Sequence, residues 1–283
     1  MTKRLGLVIH HHRPEVLELA KRALHWCGAS VEPCLPAADA DLVGRGDLAV
    51  GESEFGRDLD ACLSLGGDGT MLRATSLVAS HGVPILGINA GHLGYLTEVD
   101  PTAMEDALDQ WLRGELAIER RMMIEVWAGD GRRQWVGRAL NEAVIDRSES
   151  GRAVEISVAI GGQDFITFLA DALIIATPTG STAYSLSAGG PIVEPDFKTL
   201  LLTPVAAHTV FNRPMVLAPD TEVRLTIEGH RSAVVSLDGR QMLELEPGRT
   251  VLCKASGVEA CFLVRGDRDF HSVLKEKFGL TDR

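Results

Sequence analysis

A carboxylate among three glycines is the feature of this sequence with the clearest chemical meaning. The turn Gly66-Gly67-Asp68-Gly69-Thr70 follows an apolar run, residues 61–65, and precedes residues 71–78, whose apolar side chains have helical spacing. Glycine lets a backbone approach a ligand, and amides before a helix attract anions. A carboxylate there repels a phosphate unless it binds a cation or accepts a proton from an attacking hydroxyl. The turn therefore indicates phosphoryl transfer; alternatively, Asp68 caps the helix and the glycines only shape the turn.

A segment rich in hydroxyl groups lies more than a hundred residues further along the chain. The apolar run 173–176 leads into Thr177-Pro178-Thr179-Gly180-Ser181-Thr182-Ala183-Tyr184. Hydroxyls, a glycine and an aromatic ring at this density can bind sugar hydroxyls and amides while the ring stacks on a flat heterocycle. The segment predicts a nucleotide-binding loop, and the structural alternative is a loop whose hydroxyls cap a helix.

Two further polar signals are ambiguous by themselves. Asn141-Glu142 interrupts an otherwise apolar stretch, and Asp171 stands just before the apolar run 173–176. Buried polar groups need partners, and a ribose diol would supply them. An internal hydrogen bond or a solvent-facing bulge accounts for the Asn141-Glu142 pair equally well.

The elements that must position the Asp68 turn have the pattern of an α/β domain. Residues 5–9, 61–65 and 84–88 are predicted strands, and residues 14–27 are a predicted helix that begins with proline and ends at Gly28. Alternating strands and helices predict a parallel sheet, and ligands collect at the carboxyl edge of such sheets. The Asp68 turn and the glycine-rich segment 89–95 both lie at that edge. The acidic stretch 36–60 has little periodicity, and we expect mostly loop there.

The pattern changes after a helix that begins at Asp100-Pro101, ends near Gly114, and carries Met104, Leu108, Trp111 and Leu112 on one face. Alternating residues at 122–126 precede a turn at Gly129-Asp130-Gly131, and strands 154–160 and 163–168 flank Gly161-Gly162, a hairpin signal. Further strands are expected at 223–227, 233–237 and 251–254. The second half therefore predicts an all-β domain, a sandwich in preference to a barrel. Residues 270–278 predict a helix.

Composition limits the classes of protein to consider. The chain has 283 residues, 45% hydrophobic residues and a net charge of −11, which fits two globular domains and argues against a general nucleic-acid binder. No apolar run is long enough to span a membrane, and the N-terminal apolar run is too short for a signal peptide. The five cysteines are odd in number and lack C-x-x-C spacing, so we expect reduced core thiols and a cytoplasmic protein. The tract His10-His11-His12 reads as a solvated loop and receives no role.

Several motifs are missing from the sequence. It contains no G-x-x-x-x-G-K-[ST] loop, no protein-kinase motif set and no G-x-G-x-x-G dinucleotide fingerprint. No zinc-ligand spacing and no defensible Ser-His-Asp order are present. Neither standard nucleotide cradle therefore applies, and the sequence is not that of an ordinary dehydrogenase.

Together these residues resemble the bacterial NAD kinases, the ATP or polyphosphate-dependent NAD kinase family. The resemblance spans nearly the whole chain and rests on Gly66 to Thr70, Gly87-Ile88-Asn89, Gly91-His92-Leu93-Gly94-Tyr95-Leu96-Thr97, Asn141-Glu142, Thr177 to Tyr184, and His208 with Asn212-Arg213-Pro214. It implies an N-terminal Rossmann-like α/β domain (residues 1–115), a C-terminal β-sandwich that binds NAD (116–262), and a C-terminal segment (263–283) whose helix packs back on the first domain. The implied reaction phosphorylates the adenosine ribose 2′-hydroxyl of NAD to give NADP.

The resemblance also implies the roles of individual residues. Asp68 would be the general base, with Gly67, Gly69 and Thr70 at the donor phosphates. The dinucleotide would contact Asn141, Glu142, Asp171, Thr179, Ser181, Thr182, Ala183, Tyr184 and His208. Mg²⁺ or another divalent cation would be bound through the donor phosphates and by no protein ligand, and the protein would form a homodimer or homotetramer.

The sequence departs from the family pattern at two positions. Ala172 replaces an expected glycine and Arg240 an expected glutamine, and neither change touches the expected base. Two alternatives stay open at this point. One is a non-catalytic NAD(H) sensor, and the other is a lipid or sugar kinase that shares the G-G-D-G turn.

Overall fold

The computed structural model describes residues 2–91, 94–97, 99–129, 134–266 and 269–280. The chain forms two compact units, the first built from the chain up to Arg120 together with the chain from Ala260 onward, and the second from Arg121–Glu259. The sequence had placed these boundaries at 115/116 and 262/263. In the described part no helix is long and apolar enough to cross a membrane.

The strands and helices, in chain order, are as follows within the described residues. The strands are Lys3–Ile9 (β1), Val31–Pro36 (β2), Ala49–Val50 (β3), Ala61–Gly66 (β4), Ile85–Asn89 (β5), Ala117–Arg121 (β6), Ile124–Ala128 (β7), Gln134–Ala139 (β8), Glu142–Arg147 (β9), Val154–Ile160 (β10), Gln163–Ala170 (β11), Ala172–Ala176 (β12), Leu200–Val205 (β13), Met215–Leu217 (β14), Val223–Glu228 (β15), Ala233–Leu237 (β16), Arg240–Leu245 (β17), Thr250–Ala255 (β18) and Ala260–Val264 (β19). The α-helices are Pro14–Cys27 (α1), Ala37–Leu42 (α2), Asp68–Val78 (α3), Met104–Arg113 (α4), Tyr184–Ser187 (α5) and Phe270–Lys277 (α6).

The first unit is a seven-stranded sheet with helices packed on it. The strand order is β3-β2-β1-β4-β5-β19-β6, and β1 pairs in parallel with both β2 and β4. Because the chain leaves β1 toward β2 on one side and resumes at β4 on the other, the strand order reverses between β1 and β4. The carboxyl ends of two such strands border the crevice in which open α/β sheets bind ligands. The prediction of a parallel sheet is therefore confirmed.

Helices α1 and α4 close the core of this sheet. Val16, Leu19, Ala20 and Ala23 of α1 are buried at helical spacing, and the helix begins with Pro14, whose fixed φ suits a first helical position. Helix α4 buries Met104, Ala107, Leu108 and Trp111 in the same cluster. Leu112, which the sequence placed on this face, is 37% exposed, because it lies one residue further round the helix than Trp111.

Several elements of the first unit were not predicted from the sequence. The stretch 36–60, expected to be mostly loop, contains α2 and β3, and it buries Asp39 and Phe55 at 0% and 1% exposure. The strand β19, which pairs in parallel with β5, returns the chain to the first sheet before the predicted tail helix. The helix itself is present as α6, where the Lys277 ammonium lies 5.2 Å from the centre of the Tyr95 ring.

The second unit is the predicted β-sandwich. Its two antiparallel sheets have the orders β11-β10-β15-β18-β7-β8 and β14-β13-β12-β9-β16-β17, and one core of alternating side chains includes residues of both. Gly161 and Gly162 join β10 to β11 with φ of +59° and +83°, as a two-residue hairpin turn requires. The turn predicted at Gly129-Asp130-Gly131 falls in the sequence between the paired strands β7 and β8, and Asp130 and Gly131 lie outside the described residues. All five cysteines are free and buried, as predicted for core thiols.

Candidate active site

The Asp68 turn joins β4 to α3 at the carboxyl edge of the first sheet. Gly67 precedes the helix, and Asp68 is its first residue. Strand β4 ends beside Asn89 of β5, so the turn and the glycine-rich segment after β5 are neighbours at this edge, as the sequence predicted. Thr70 is buried at 5% exposure and its amide donates to the Gly67 carbonyl at 2.9 Å, whereas Gly69 is exposed.

Two backbone amides fix the half-buried carboxylate of Asp68. The Tyr95 N–H donates to Oδ2 at 2.9 Å, and the Leu96 N–H donates to Oδ1 at 3.0 Å. The helix N-terminus has no side-chain cap, so the alternative in which Asp68 merely caps α3 does not describe the structure. Each oxygen retains acceptor capacity beyond its single amide bond. Asp68 is therefore held in one orientation and can still accept a proton.

The segment after β5 is shaped around Asp68. At Gly94, a Cβ would overlap Asp68 Oδ1 and approach Thr97 Oγ1 to 2.6 Å, so only glycine fits there. Thr97 is 3% exposed, and its hydroxyl and the Asn89 side-chain oxygen have no hydrogen-bond partner among the described residues. His92, Leu93 and Glu98 lie outside the described residues. Unpartnered buried polar atoms next to an oriented carboxylate are a feature of ligand sites.

An arginine and a histidine border the other side of this crevice, after β1. The His10 amide donates to the Leu65 carbonyl at 3.0 Å, and the Arg13 guanidinium donates to the Ala90 carbonyl at 2.5 Å. Burial, followed by the positive charge of Arg13, lowers the pKa of His10. The histidine tract was assigned no role from sequence, yet it flanks the Asp68 turn. Basic groups at a strand edge next to a glycine turn suit a phosphate chain.

In the second unit the structure brings together the Asn141-Glu142 pair and the hydroxyl-rich loop. The Thr177 amide donates to the Asn141 carbonyl at 2.9 Å, and the Thr177 hydroxyl donates to the Leu140 carbonyl at 2.6 Å. Gly180 packs directly against the Asn141 backbone, where a Cβ would lie 2.8 Å from Asn141 Cα and overlap its carbonyl oxygen. The two motifs therefore form one cluster.

The hydroxyls of this loop divide between structural and open positions. The Ser181 hydroxyl, 0% exposed, both accepts from the Val193 amide at 3.0 Å and donates to the Val193 carbonyl at 3.1 Å, so its bonds are internal. The Thr182 hydroxyl donates to the Thr179 carbonyl at 3.2 Å, and Thr179 itself is buried beside the Arg121 guanidinium. Ala183 is half-buried, and the Tyr184 ring is 40% exposed. An exposed aromatic ring of this kind can stack on a heterocycle.

Asp238, which the sequence did not single out, holds the Asn141-Glu142 pair in place. Its Oδ1 accepts the amides of Asn141 at 2.8 Å and Glu142 at 3.2 Å, and its Oδ2 accepts the Leu140 amide at 2.8 Å. Its φ of +48° places it in the left-handed region, which aspartate tolerates better than most residues. Burial raises the pKa of Asp238, opposed by the three amides and by the positive charge of Arg240. The unexpected Arg240 thus acts on this carboxylate.

Glu142 is the most strongly perturbed carboxyl of the cluster. It is 7% exposed, and its Oε2 has no partner among the described residues. Burial, and then the negative charge of Asp238, raise the pKa of Glu142 to about 8, although the Tyr184 backbone amide donates to the side chain. A carboxyl in this state is protonated at neutral pH and can both donate and accept a hydrogen bond.

The remaining predicted residues lie at the edge of the second unit's cluster. Asp171, before β12, pairs with the Arg147 guanidinium. Burial raises the pKa of the Tyr184 phenol, and the charges of Asp146 and Asp171 raise it further, so Tyr184 and Asp171 are close enough to interact electrostatically. His208 lies on the exposed segment after β13, where its amide donates to the Leu169 carbonyl at 2.8 Å. The structure therefore places Asp171 within electrostatic range of Tyr184, and His208 is exposed to solvent.

No group of three or more histidine, cysteine or acidic side chains in the described residues is arranged to hold a metal ion. Asp68 offers a single carboxylate, and each of its oxygens accepts one amide and keeps further acceptor capacity. These donor sets do not fit a resident Mg²⁺ held by protein ligands alone. They are compatible with an ion that enters on the phosphates of a nucleotide, the usual mode for Mg²⁺.

Comparison with known proteins identifies the family. Residues 5–116 match the ATP-NAD kinase N-terminal domain, and residues 140–264 match the ATP-NAD kinase C-terminal domain. The α/β unit with its Asp68 turn and the sandwich with its hydroxyl-rich loop define a two-domain nucleotide kinase class. The chain belongs to the ATP-NAD kinase family.

Individual relatives agree with this assignment. An NAD kinase of Heliobacterium modesticaldum is 41% identical over 278 residues, covering 96% of this chain and 97% of the relative. An NAD kinase of Moorella thermoacetica is 37% identical, covering 97% and 89%. Among solved structures, an Archaeoglobus fulgidus NAD kinase in complex with ATP is 25% identical with a TM-score of 0.71, covering 98% of this chain and 97% of that one. Yeast NADH kinase complexed with NADH shares the fold, with a TM-score of 0.90 at 23% identity, covering 99% and 89%.

Proposed function

We propose that this protein transfers the terminal phosphoryl group of ATP to the adenosine ribose 2′-hydroxyl of NAD, giving NADP and ADP. The observation that carries the proposal is the Asp68 carboxylate, oriented by the Tyr95 and Leu96 amides at the carboxyl edge of the sheet. Kinases use an aspartate in this way to accept the proton of an attacking hydroxyl. The family membership supplies the substrates, and the similarity to an NAD kinase in complex with ATP supports ATP as the donor.

In this proposal the first unit binds the donor. Gly67 and Gly69 have open space where a side chain would stand, so phosphate oxygens can approach their backbone closely. Thr70 supports the turn from the buried side, while Arg13 places positive charge nearby and His10 offers an imidazole that can bond a phosphate oxygen. Mg²⁺ arrives with ATP as part of the substrate and neutralises charge on the donor phosphates.

The second unit binds the dinucleotide in this proposal. Asn141 and the protonated Glu142 bond the adenosine ribose, and the buried Oε2 of Glu142 gains the partner it lacks. The hydroxyl-rich loop contributes mainly its backbone and its shape, through Thr179, Ser181, Thr182 and Ala183. Tyr184 offers its exposed ring for stacking on the dinucleotide. Asp171 and His208 are the remaining residues proposed to contact the dinucleotide.

The chemical step is an in-line displacement. The ribose oxygen forms a bond to the terminal phosphorus while the bond from that phosphorus to the bridging oxygen breaks, and ADP leaves with the electron pair. Asp68 takes the hydroxyl proton as the new bond forms and later releases it to water. Catalysis by the protein is otherwise positioning and charge stabilisation.

Replacing Asp68 with asparagine tests the role of the carboxylate. Because general-base catalysis contributes roughly 10²- to 10⁴-fold, we expect Asp68→Asn to lower kcat by that order. The dissociation constant for NAD should stay within about twofold, because the residues proposed to bind the dinucleotide are unchanged. Activity is measured as NADP formed from NAD, ATP and Mg²⁺, with an NADP-specific dehydrogenase as the detector. Asp41→Asn, an exposed aspartate in the same unit, is the matched control. Near-normal NADP formation by Asp68→Asn would remove Asp68 from the catalytic role.

The same assay separates the rival functions. A non-catalytic NAD(H) sensor binds the dinucleotide and forms no NADP. A lipid or sugar kinase phosphorylates diacylglycerol or fructose 6-phosphate in preference to NAD when the acceptors compete. Polyphosphate in place of ATP tests the second donor that the family resemblance implies.

The family resemblance also supports a homodimer or homotetramer that acts in the cytoplasm. Light scattering of the purified full chain measures the assembly. A monomer at all concentrations used in the assay would contradict an oligomeric enzyme.

A further inference from the structure

An ion pair with no assigned role joins α2 to α3, the helix that begins with Asp68. The carboxylate of Asp39 is 0% exposed and accepts both terminal nitrogens of Arg73, at 2.9 Å and 2.8 Å. The same carboxylate accepts the Ile9 amide at 2.9 Å and lies 2.7 Å from His11 Nε2. A single carboxylate is thus bonded to a bidentate guanidinium, a backbone amide and an imidazole.

These groups come from three elements of the first unit. Arg73 is in α3, the helix whose first residue is Asp68. Ile9 ends β1, and His11 follows in the segment that continues to Arg13. Asp39 is in α2, within the acidic stretch that the sequence treated as loop. The pair therefore connects the helix that carries the catalytic aspartate to the end of the strand on the opposite side of the crevice.

Stability alone is a poor explanation for such a pair. A buried ion pair loses much of its attraction to the cost of leaving water, and apolar side chains of similar volume often stabilise a protein as well or better. What apolar side chains cannot supply is direction, because a guanidinium and a carboxylate joined by two parallel bonds fix their mutual orientation. Arg73 also approaches the Ile9 carbonyl to 3.4 Å and His11 Nε2 to 3.2 Å.

We propose that Asp39 and Arg73 are positioning residues for phosphoryl transfer. The pair fixes the rotation and axial position of α3 against the end of β1, and it thereby fixes Asp68 relative to the His10–Arg13 segment. This inference rests on the proposed kinase function. A displacement of about 1 Å in a reacting group can cost on the order of 100-fold in rate, so a modest rotation of α3 is enough to matter.

The test uses charge-removing variants of the full chain. Arg73→Gln leaves the buried Asp39 carboxylate without its guanidinium, and Asp39→Asn leaves the partly buried Arg73 with the exposed Glu52, 3.9 Å away, as its acidic neighbour. Both variants should lower the melting temperature and the kcat. The double variant Asp39→Asn/Arg73→Gln removes both charges, so its melting temperature should return toward that of the unchanged protein. Its kcat should stay about 10- to 100-fold low, because the oriented pair is still missing. The KM for NAD should change less than about twofold in all three variants.

Two controls make the result specific. Arg73→Lys keeps the charge but loses the two-pronged geometry, and we expect its kcat to stay low as well. Arg22→Gln removes an exposed arginine of the same unit, which pairs with Glu105, and should leave kcat within about twofold. The proposal is overturned if Arg73→Lys is fully active or if the double variant recovers kcat together with its melting temperature.

Amide hydrogen exchange gives a readout that does not depend on activity. The amides of Tyr95 and Leu96 donate to Asp68, so their exchange reports how well that carboxylate is held. Their exchange should accelerate several-fold in the double variant, whereas unchanged exchange at both amides would overturn the proposal. If the unchanged protein forms no NADP, the proposed function fails, and the exchange experiment still decides whether the pair positions Asp68.

Discussion

Replacing Glu142 with glutamine should make the stability of the second unit much less dependent on pH. Glu142 is buried and faces the negative charge of Asp238, and these features raise its pKa to about 8. Among the described residues it has no cationic partner. An unfolded glutamate ionises near 4.5. Between these two values the folded protein keeps a proton that the unfolded chain releases, so folding is progressively penalised as the pH rises.

The sign and size of the pH dependence of stability follow from the difference between the folded and unfolded pKa of Glu142. The full stabilising contribution of the protonated carboxyl is present below pH 4.5 and is lost as the pH rises through about 8. Each unit of pKa difference is worth about 1.4 kcal/mol, so the whole gap sets an upper bound of about 5 kcal/mol. Water that enters the site and rearrangement of Glu142 reduce this value, and we expect a loss of about 2 to 4 kcal/mol between pH 5 and pH 9.

Urea unfolding between pH 5 and pH 9 measures this loss. Trp127 and Trp135, whose ring centres are 4.9 Å apart, lie in the second unit and contribute a fluorescence signal from it. The free energy of unfolding of the unchanged protein should fall across this range relative to that of Glu142→Gln, and the glutamine variant should be the more stable at pH 9. Glu228→Gln, at an exposed position in the same unit, controls for the loss of one charge. Parallel curves for the unchanged protein and Glu142→Gln would refute a protonated, buried Glu142.

Two sets of glycine substitutions test the sites by shape. Gly180→Ala places a methyl group against the Asn141 backbone, so we expect a loss of about 1 to 3 kcal/mol in unfolding free energy and weaker NAD binding by calorimetry; Gly257→Ala, with open space around it, should change neither. A methyl group at Gly67 or Gly69 would meet no described atom within 4 Å, so the melting temperatures of Gly67→Ala and Gly69→Ala should hold. Their KM for ATP should rise about 10-fold or more, and an unchanged KM would exclude close phosphate contact at this turn.

Sequence patterns predicted those parts of the fold in which local preference and burial agree. Helix α1 spans the predicted residues 14–27 because Pro14 begins it, Gly28 ends it, and its apolar positions face one core. The hairpin at Gly161-Gly162 was equally predictable from sequence, since two glycines with positive φ join strands whose apolar and polar residues alternate. The glycines around Asp68 could be interpreted because their spacing indicates a turn at which the backbone must approach a ligand closely.

Features that depend on distant partners could not be predicted. Asp39 looked like part of a solvated acidic loop, since its partners Ile9 and Arg73 are about thirty residues away in either direction along the chain. Asp238 was overlooked for the same reason, as it binds three amides nearly a hundred positions earlier. The hydroxyl of Ser181 was expected to face a ligand, but its bonds to Val193 make it structural. Composition alone does not show whether a hydroxyl bonds a ligand or the protein itself.

The carboxyl groups of Asp68 and Glu142 lie in opposite environments, and this contrast fits the different roles proposed for them. Asp68 receives two backbone amides and remains half-buried, so it is oriented as an acceptor and is open to solvent, into which a proton can later pass. Glu142 is buried beside a second acidic group, and its raised pKa favours the neutral form. A neutral carboxyl can donate a hydrogen bond to a sugar oxygen and accept one from its neighbour, and it adds no negative charge to repel a dinucleotide. Exchanging the two environments would impair both tasks, since a neutral Asp68 could not take up the hydroxyl proton and an ionised Glu142 would repel the phosphates of the acceptor.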